Sequence, residues 1–321
     1  MKTKGVIKKE LFGGVMAASL LLAGLIGISD APVLAEKKGN ASGSMAAAFH
    51  ILKSCRNEAK EEYWIAIANA DMLPDADDRA EARDEADEEL ADALEECGDQ
   101  YEARLDLVED LDEAFYDPEI YPADFASPGV NPYWPMVPGT TRTYEGETED
   151  GTETVVVTVT GDTREILGVV CTVVQDVAYL DGDPIEDTLD YFAIDNDGNV
   201  WYFGENSVEI EDGMIVDTEG SWISGEDGAK PGIVMLADPM VDDVYRQEYL
   251  AGEAEDAGAV LSLTESVTVP YGIFEDCLQT EDFTPVEPDT LEYKFYAPGI
   301  GVIKEVDTES GEEVVLISVT P

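Results

Sequence analysis

The sequence predicts an α+β protein in which an N-terminal αα-hairpin precedes a large antiparallel β-domain. Apolar residues recur at three- and four-residue steps from about residue 45 to residue 111, as on one face of a helix. Beyond residue 138, β-branched runs alternate with Gly-containing turns, which is typical of successive short strands. The spacers between these runs are too short for crossover helices, so the sheet should be antiparallel and form a sandwich or an incomplete barrel.

Residues 1–35 have the pattern of a signal peptide, with a basic start, an apolar run at Phe12–Ile28 and small residues before position 36. No later run approaches the roughly 20 apolar residues that a membrane-spanning helix needs, so no transmembrane segment is expected after cleavage. The sequence therefore predicts a secreted, periplasmic or cell-surface protein. Retention of this segment as an uncleaved anchor is the alternative.

Residues 36–44 are polar and are predicted to form a linker, and residues 45–114 form the predicted hairpin, with its turn near Pro74. Cys55 and Cys97 lie on the apolar stripes of the two helices, at similar distances from the turn. We expect them to form a disulfide, for which export supplies an oxidising compartment. Four cysteines allow three pairings, and the preferred one also joins Cys171 to Cys277.

Residues 115–138 are rich in Pro and aromatic residues and are predicted to form an irregular connector that packs against both parts. Residues 139–321 form the predicted β-domain. Its turn signals are Asp-Gly and Gly-Asp pairs between the strands. The predicted strands are residues 152–160, 164–179, 188–195, 199–204, 243–250, 259–269, 273–282, 291–297, 301–307 and 312–319.

Three segments of the β-domain carry a resemblance to a known group of proteins. They are NPYWPMVPGT at 131–140, VTVPYGIFEDC at 267–277 and FYAPGIGVIK at 295–304. Together with the helical region from Cys55 to Arg104, they resemble uncharacterised bacterial secreted proteins with a Cys-containing helical hairpin and a C-terminal β-domain. The resemblance spans nearly all of the chain after residue 35, and it implies a fold without implying an activity.

The charge of the chain limits its partners. Of 321 residues, 72 are Asp or Glu, 18 are Lys or Arg and one is His, for a net charge of −54. The hydrophobic fraction of 44% is ordinary for a folded protein, so the acids do not indicate disorder. This charge argues against nucleic acid as a partner and favours cations, basic proteins or cell-surface components. Adaptation to high salt would explain the same composition.

Few of the usual catalytic constellations are available to this chain. The single His, His50, lies near the start of the first predicted helix, and the sequence has no HExxH, GxSxG or GxxxxGK[ST] motif. A glycosidase-like hydrolase that uses two carboxylates stays open as an alternative. One acidic group, which a solvated strand edge and loop explain equally well, is Glu248, Glu253, Glu255 and Asp256.

Two further groups of residues are candidate binding sites. Asp195, Asp197 and Asn199 place oxygen ligands around one Gly, as Ca²⁺ requires, although a plain hairpin turn explains the same residues. Lys230 and Arg246 could line a pocket for an anionic ligand or form structural ion pairs. The aromatic residues Trp201 and Trp222 could line a ligand surface or pack in the sheet core.

The sequence as a whole predicts an exported, non-enzymatic binding or cell-envelope structural protein. It requires no cofactor, with Ca²⁺ as an optional support. The alternatives are a carboxylate-dependent hydrolase and a carrier that holds an apolar ligand in a cavity of the β-domain.

Overall fold

The computed structural model describes residues 42–218 and 220–321. Its fold is α+β: two N-terminal helices precede a sandwich-like domain built from one antiparallel sheet of 15 strands. The predicted signal peptide and most of the predicted linker lie outside the described residues. No helix in the described part of the chain is long and apolar enough to cross a membrane.

The two helices form the predicted hairpin. Helix α1 (Gly43–Asp71) begins after Ser42, whose side chain caps the backbone amide of Met45. Helix α2 (Ala76–Asp110) begins after Asp75, which caps two backbone amides in the same way. The first helix therefore starts inside the segment predicted as a linker, because Ser42 provides a cap there.

The Cys55–Cys97 disulfide is present, with the two Cα atoms 5.8 Å apart. It joins the facing apolar sides of α1 and α2, where Cys97 packs with Leu52 and Tyr101. The hairpin has a small core, so this covalent link replaces contacts that two helices alone do not supply.

Two buried ion pairs attach the hairpin to the sheet. The Arg104 Nε atom lies 2.8 Å from Glu255, and the Arg246 Nε atom lies 2.9 Å from Glu113. The backbone amide of Ser44 also donates to the carbonyl of Ala114. The start of α1 is thus fixed against the segment that follows α2.

The connector covers the outside of the sheet and one side of its interior. Its short 3₁₀ helix (Pro122–Phe125) places Phe125 against Trp201 and Phe203. Further along, Trp134 contacts Phe192 with ring centroids 5.3 Å apart. The connector therefore packs on both faces of the sheet at two neighbouring strands, one that carries Phe192 and one that carries Trp201 and Phe203.

The fifteen strands follow each other mainly as antiparallel hairpins. They are β1 (Thr141–Thr148), β2 (Gly151–Ile166), β3 (Val169–Leu180), β4 (Asp183–Ile194), β5 (Val200–Glu211), β6 (Met214–Asp217), β7 (Trp222–Ile223), β8 (Lys230–Met235), β9 (Val244–Arg246), β10 (Glu248–Tyr249), β11 (Ala257–Val269), β12 (Gly272–Phe283), β13 (Leu291–Ala297), β14 (Gly301–Asp307) and β15 (Glu313–Thr320).

The sheet closes on itself. Its main path runs β10-β8-β5-β4-β3-β2-β1-β15-β14-β13-β12-β11-β9, so β9 and β10 lie at its two ends. These two strands are consecutive in the chain and are separated only by Gln247. One short segment therefore pairs with β11 on one side and with β8 on the other. The layers enclose an apolar core to which both halves of the path contribute.

Two predicted strands differ from those observed. The segment 164–179 is divided between β2 and β3 by a turn at Leu167 and Gly168, which have φ values of 51° and 78°. The segment 243–250 is divided into β9 and β10, because its two halves pair with different neighbours. Strands β6, β7 and β8 are absent from the predicted set, and so is β1, because that set begins at residue 152.

The predicted Cys171–Cys277 disulfide is wrong. Both cysteines are free and buried. Cys171, on β3, packs in the apolar cluster that includes Phe203, whereas Cys277, on β12, packs in a different cluster that includes Leu316. The closed sheet keeps these two clusters apart, so the thiols serve as small core side chains.

Candidate functional site: an acid-lined cavity inside the sheet

The sheet encloses a cavity of about 260 Å³ whose lining is unusually rich in carboxylates. We call it the interior cavity. Its basic lining residues are Arg142 and Lys294. Its acidic lining residues are Asp176, Glu186, Asp190, Glu205, Glu209, Glu248, Glu253, Asp256, Asp282, Glu287 and Glu305. Because enclosed carboxylates repel one another, their charge must be balanced by partners, protons or a ligand.

Three acids surround a lysine beside the cavity, and we call this group the lysine-centred cluster (Asp282, Glu292, Lys294 and Glu305). All of its members except Glu292 line the cavity. The Lys294 Nζ atom lies 3.2 Å from Asp282 and 3.5 Å from Glu292. Glu305 lies directly opposite Lys294 on the neighbouring strand. Gln247 and Thr280 each donate a hydrogen bond to Asp282. Lys294 can balance the charge of one of these three carboxylates, and hydrogen bonds from Gln247 and Thr280 satisfy Asp282.

The lysine-centred cluster still has one unsatisfied atom. Burial alone would lower the pKa of Lys294, but the Asp282, Glu292 and Glu305 carboxylates raise it well above its ordinary value. Burial raises the pKa of Glu305 to about 8, although Lys294 opposes this. The Oε1 atom of Glu305 is buried and has no hydrogen-bond partner. A proton or a ligand donor would satisfy this oxygen.

A second group has no lysine, and we call it the lysine-free cluster (Asp176, Asp190 and Glu205). These acids lie on β3, β4 and β5, and Asp190 lies directly opposite Glu205. Among the described residues, no ion pair includes any of the three. The hydroxyl of Tyr202 donates to Asp190 over 2.7 Å. Like charges opposite each other on paired strands are destabilising.

The lysine-free cluster therefore retains protons at unusually high pH. Burial raises the pKa of Asp190 to about 7, with the Glu186 charge adding to the effect and the Tyr202 hydrogen bond opposing it. Burial and the charge of Asp190 raise the pKa of Asp176 and of Glu205 well above their ordinary values. The three carboxyls titrate together rather than independently, since each proton changes its neighbours.

A β-bulge in β5 lets the side chains of Tyr202 and Glu205 both face the interior cavity. Asp190 pairs with Glu205 and Phe192 pairs with Tyr202, so two residues of β5 lie opposite one residue of β4. One of the two is Gly204, with φ 133°, where a Cβ atom would lie 2.3 Å from the Trp222 carbonyl oxygen. The extra residue allows Tyr202 and Glu205 to face the same side despite their three-residue spacing.

Aromatic rings form the other side of the interior cavity. Phe192 and Tyr202 are stacked with centroids 4.8 Å apart, and Trp134 contacts both Phe192 and Tyr296. Arg142 also lines the cavity, but it donates to the carbonyls of Ile300 and Pro135 and not to the acids. The cavity thus combines uncompensated carboxylates with aromatic faces.

The predicted calcium ligands form a self-contained turn. Asp195 accepts hydrogen bonds from three backbone amides and from the side chains of Asn199 and Trp201. Asn199 in turn accepts from the amide of Ala237, whereas Asp197 is exposed. Burial would raise the pKa of Asp195, but the hydrogen bonds from Asn199 and Trp201 lower it below its ordinary value. The turn needs no cation to hold its shape.

Calcium at this turn stays a prediction that the geometry does not support. A carboxylate offers about four acceptor positions, and five protein donors already occupy those of Asp195. Within the residues that the structure describes, no group of three or more His, Cys, Asp or Glu side chains is placed to hold a metal ion.

The predicted ligand-binding residues separate into two places. Lys230 and Arg246 line one pocket of about 370 Å³ between the start of α1 and the sheet, which we call the interface pocket. Trp201 lies elsewhere, against Phe125, and Trp222 is buried beside Tyr202 in the sheet core. The structure therefore brings the two cations together but does not add the two tryptophans to them.

A single stretch of chain separates the two pockets. Within residues 246–256, Arg246, Tyr249 and Glu255 line the interface pocket. From the same stretch, Glu248 and Asp256 line the interior cavity. The acidic group at 248–256, which a solvated loop would also explain, thus divides between two enclosed sites, and Glu248 and Glu255 are both buried.

Apart from the group at 248–256, the sequence did not single out the acids of the interior cavity, including those of the lysine-free cluster. In β4, the polar residues Glu186, Thr188 and Asp190 occupy every second position, and the positions beside and between them are apolar except for Asp187. This is close to the usual pattern of a strand with one face in solvent. The alternation was itself the signal. It is also expected for a strand with one face packed against an apolar cover and the other face lining an enclosed polar space.

Comparisons with known proteins give similarity to two solved structures. One, from Bacteroides fragilis, is described as exported and as having a YmcC-like fold; it has 18% identity and a TM-score of 0.35 over 59% of this chain and 99% of that one. The other, from Parabacteroides distasonis, is described as a lipoprotein; it has 12% identity and a TM-score of 0.34 over 60% of this chain and 100% of that one. No protein-family profile matches the chain, and no curated protein matches it.

Proposed function

We propose that this is an exported, non-enzymatic binding protein that holds an organic cation in its interior cavity. The ligand class is an ammonium or guanidinium group with an apolar portion. The observation that carries the proposal is the lysine-free cluster, in which Asp176, Asp190 and Glu205 face an enclosed space without an ion-pair partner among the described residues. A cation placed there would supply the missing charge.

Export is supported by two independent features of the chain. Residues 1–35 have the composition of a signal peptide, and the hairpin carries a disulfide that requires an oxidising compartment. The strongly negative net charge of −54 would also attract cationic ligands toward the protein.

The cavity lining favours an organic cation over a bare metal ion. The faces of Trp134, Tyr202 and Tyr296 border the same space as the acids. Aromatic faces attract ammonium and guanidinium groups and also cover hydrocarbon. The unpartnered Oε1 atom of Glu305 provides a further acceptor in the same cavity. A purely apolar ligand would leave these carboxylates unsatisfied.

The test compares hexylammonium with neutral hexanol by isothermal titration calorimetry on the purified protein. We expect saturable binding of hexylammonium and none of hexanol. The affinity should rise between pH 6 and pH 8, because the pKa of Asp190 is about 7 and its deprotonation creates the charge that the cation needs.

The double variant Asp190→Asn/Glu205→Gln should bind hexylammonium at least tenfold more weakly. Its matched control is Asp84→Asn/Glu88→Gln, which removes two exposed acids of α2 and should leave binding unchanged. Equal affinity of the two double variants, or binding of hexanol as tight as that of hexylammonium, would overturn the proposal. A rise in thermal stability with millimolar Ca²⁺ alone would instead support the calcium prediction.

A carboxylate-dependent hydrolase is the second candidate, because Asp190 has a raised pKa and faces Glu205 across two strands. It predicts hydrolysis of aryl glycosides that disappears in both Asp190→Asn and Glu205→Gln. Hydrolysis that survives both substitutions would assign the activity to other residues or to a contaminant.

A further inference from the structure

We propose that the interface pocket is a second binding site, which takes a small organic carboxylate through Arg104 and Arg246. This site is separate from the interior cavity and would take a ligand of the opposite charge. The proposal rests on the hydrogen-bond state of the two arginines, on the position of α1 and on the apolar part of the pocket.

Each arginine of the pocket is buried and only partly used. Arg104 is 4% exposed and donates from Nε to Glu255 and from Nη1 to the carbonyl of Gln100. Arg246 is 7% exposed and donates from Nε and Nη2 to Glu113. The protein thereby holds two guanidinium groups rigidly in one pocket of about 370 Å³.

One nitrogen of each guanidinium has no partner. The Nη2 atom of Arg104 and the Nη1 atom of Arg246 are both buried without a hydrogen-bond acceptor. A buried donor of a charged group without an acceptor is costly. Both donors belong to side chains that line the same pocket, and guanidinium groups bind carboxylates well.

The start of α1 adds to the preference for an anion. Gly43 and Ser44, in its first turn, line the pocket, and this turn contains no acidic residue. The positive end of a 29-residue helix therefore faces the same space. Lys230, a third cation on the lining, is paired with Asp117 at 3.0 Å.

The remaining lining indicates the size and charge of the ligand. Ile51, Val108 and Phe115 provide apolar contact for a hydrocarbon body. The three cations are matched by three acids, Glu113, Asp117 and Glu255, inside a protein of net charge −54. A multiply charged anion such as phosphate would be repelled more strongly than a monocarboxylate.

The test measures binding of phenylacetate to the purified protein by calorimetry, beside neutral phenylacetamide and inorganic phosphate. We expect saturable binding of phenylacetate only. Binding of the amide with equal affinity, binding of phosphate in place of phenylacetate, or no binding at all would overturn the proposal.

Two variants locate the site. Ala47→Leu fills the pocket without touching a charge and should abolish phenylacetate binding, whereas Ala68→Leu, at an exposed position of the same helix, should not change it. Arg246→Lys keeps the charge but removes the donor fork, so affinity should fall at least tenfold. If Arg246→Lys fails to fold, the comparison of Ala47→Leu with Ala68→Leu tests the site instead. Equal phenylacetate binding by Ala47→Leu and Ala68→Leu would contradict the site. Unchanged hexylammonium binding by Ala47→Leu would show that the two pockets bind their ligands separately.

Discussion

The helical hairpin and the sheet are both acidic, yet they place their carboxylates in opposite environments. In α2, acids such as Asp84 and Glu88 are exposed to solvent. In the sheet, Asp282 and Glu305 are buried and Asp190 faces the interior cavity. The cysteines differ as well, since the hairpin is cross-linked and the two cysteines of the sheet are free. Composition alone thus does not tell whether a carboxylate contributes solubility or a binding site.

The largest expected effect is loss of the only lysine in the lysine-centred cluster. Lys294→Met should lower the free energy of unfolding by about 3–5 kcal/mol, because Asp282 and Glu292 would lose a buried partner. Urea unfolding followed by fluorescence measures this difference.

The matched control is Lys304→Met. Lys304 pairs with Glu313 at the surface, 2.6 Å away, and such pairs contribute at most about 1 kcal/mol. Similar losses in the two variants would mean that the sheet does not bury its charges in the way described.

The next effect concerns the hairpin. Cys55→Ala/Cys97→Ala should destabilise the protein by about 2–4 kcal/mol, because the disulfide closes a long loop between residues 42 apart in sequence. Reductant should lower the thermal stability of the parent protein to that of the variant and leave the variant unchanged. A variant as stable as the parent would show that helix packing alone holds the hairpin.

Carboxylates that are paired in a folded protein usually make it more stable as the pH rises, and the buried acids of this sheet should have the opposite effect. Asp256, Asp190 and Glu305 have folded-state pKa values of about 6, 7 and 8, raised by burial. Their contribution to stability is fully present below the unfolded pKa near 4 and is lost as the pH rises through these values. The free energy of unfolding should therefore be greater at pH 5 than at pH 8, by at least about 2 kcal/mol, because each group contributes about 1.4 kcal/mol per pH unit up to its folded-state pKa.

The same variants used for binding sharpen this result. Asp190→Asn/Glu205→Gln should flatten the pH dependence, whereas Asp84→Asn/Glu88→Gln should leave its slope unchanged. Greater stability at pH 8 than at pH 5 in the parent protein would contradict the enclosure of these acids.

The last prediction concerns the number of free thiols and involves no change in stability. Ellman's reagent should detect two thiols in protein unfolded without reductant, those of Cys171 and Cys277. It should detect none in the folded protein, because both are buried and burial raises the pKa of Cys171 to about 12. Zero thiols after unfolding would restore the second disulfide.

Local patterns allowed most of the fold to be predicted, and non-local pairing accounts for what they missed. The hairpin follows from helical periodicity and from Cys55 and Cys97, which lie within its two helices at similar distances from the turn. The turn at Leu167 was missed because a leucine in the left-handed region lies inside an apolar run, without the usual Asn or Asp signal. Closure of the sheet at Gln247 depends on partners distant in sequence.

The interior cavity was less predictable than the fold. A strand with polar residues at every second position, such as β4, has the same sequence whether its polar face meets bulk water or an enclosed space. The outer cover of β4 comes from Phe125 and its neighbours in the connector, far away along the chain. Lys230 and Arg246 were identified because cations are rare in this sequence, whereas Asp190 and Glu205 were two acids among 72.

The stretch 246–256 contributes to the linings of both pockets, the acid-rich interior cavity and the interface pocket that contains three cations. Arg246 and Glu248 are two residues apart and line different pockets, so a ligand that displaces this stretch from one side would act on the lining of the other. If a ligand in one pocket changes the affinity of the other pocket, thermodynamic linkage requires the change to be the same factor in both directions. Binding of an amine measured with and without a carboxylate ligand present would reveal such coupling, which neither ligand reveals alone.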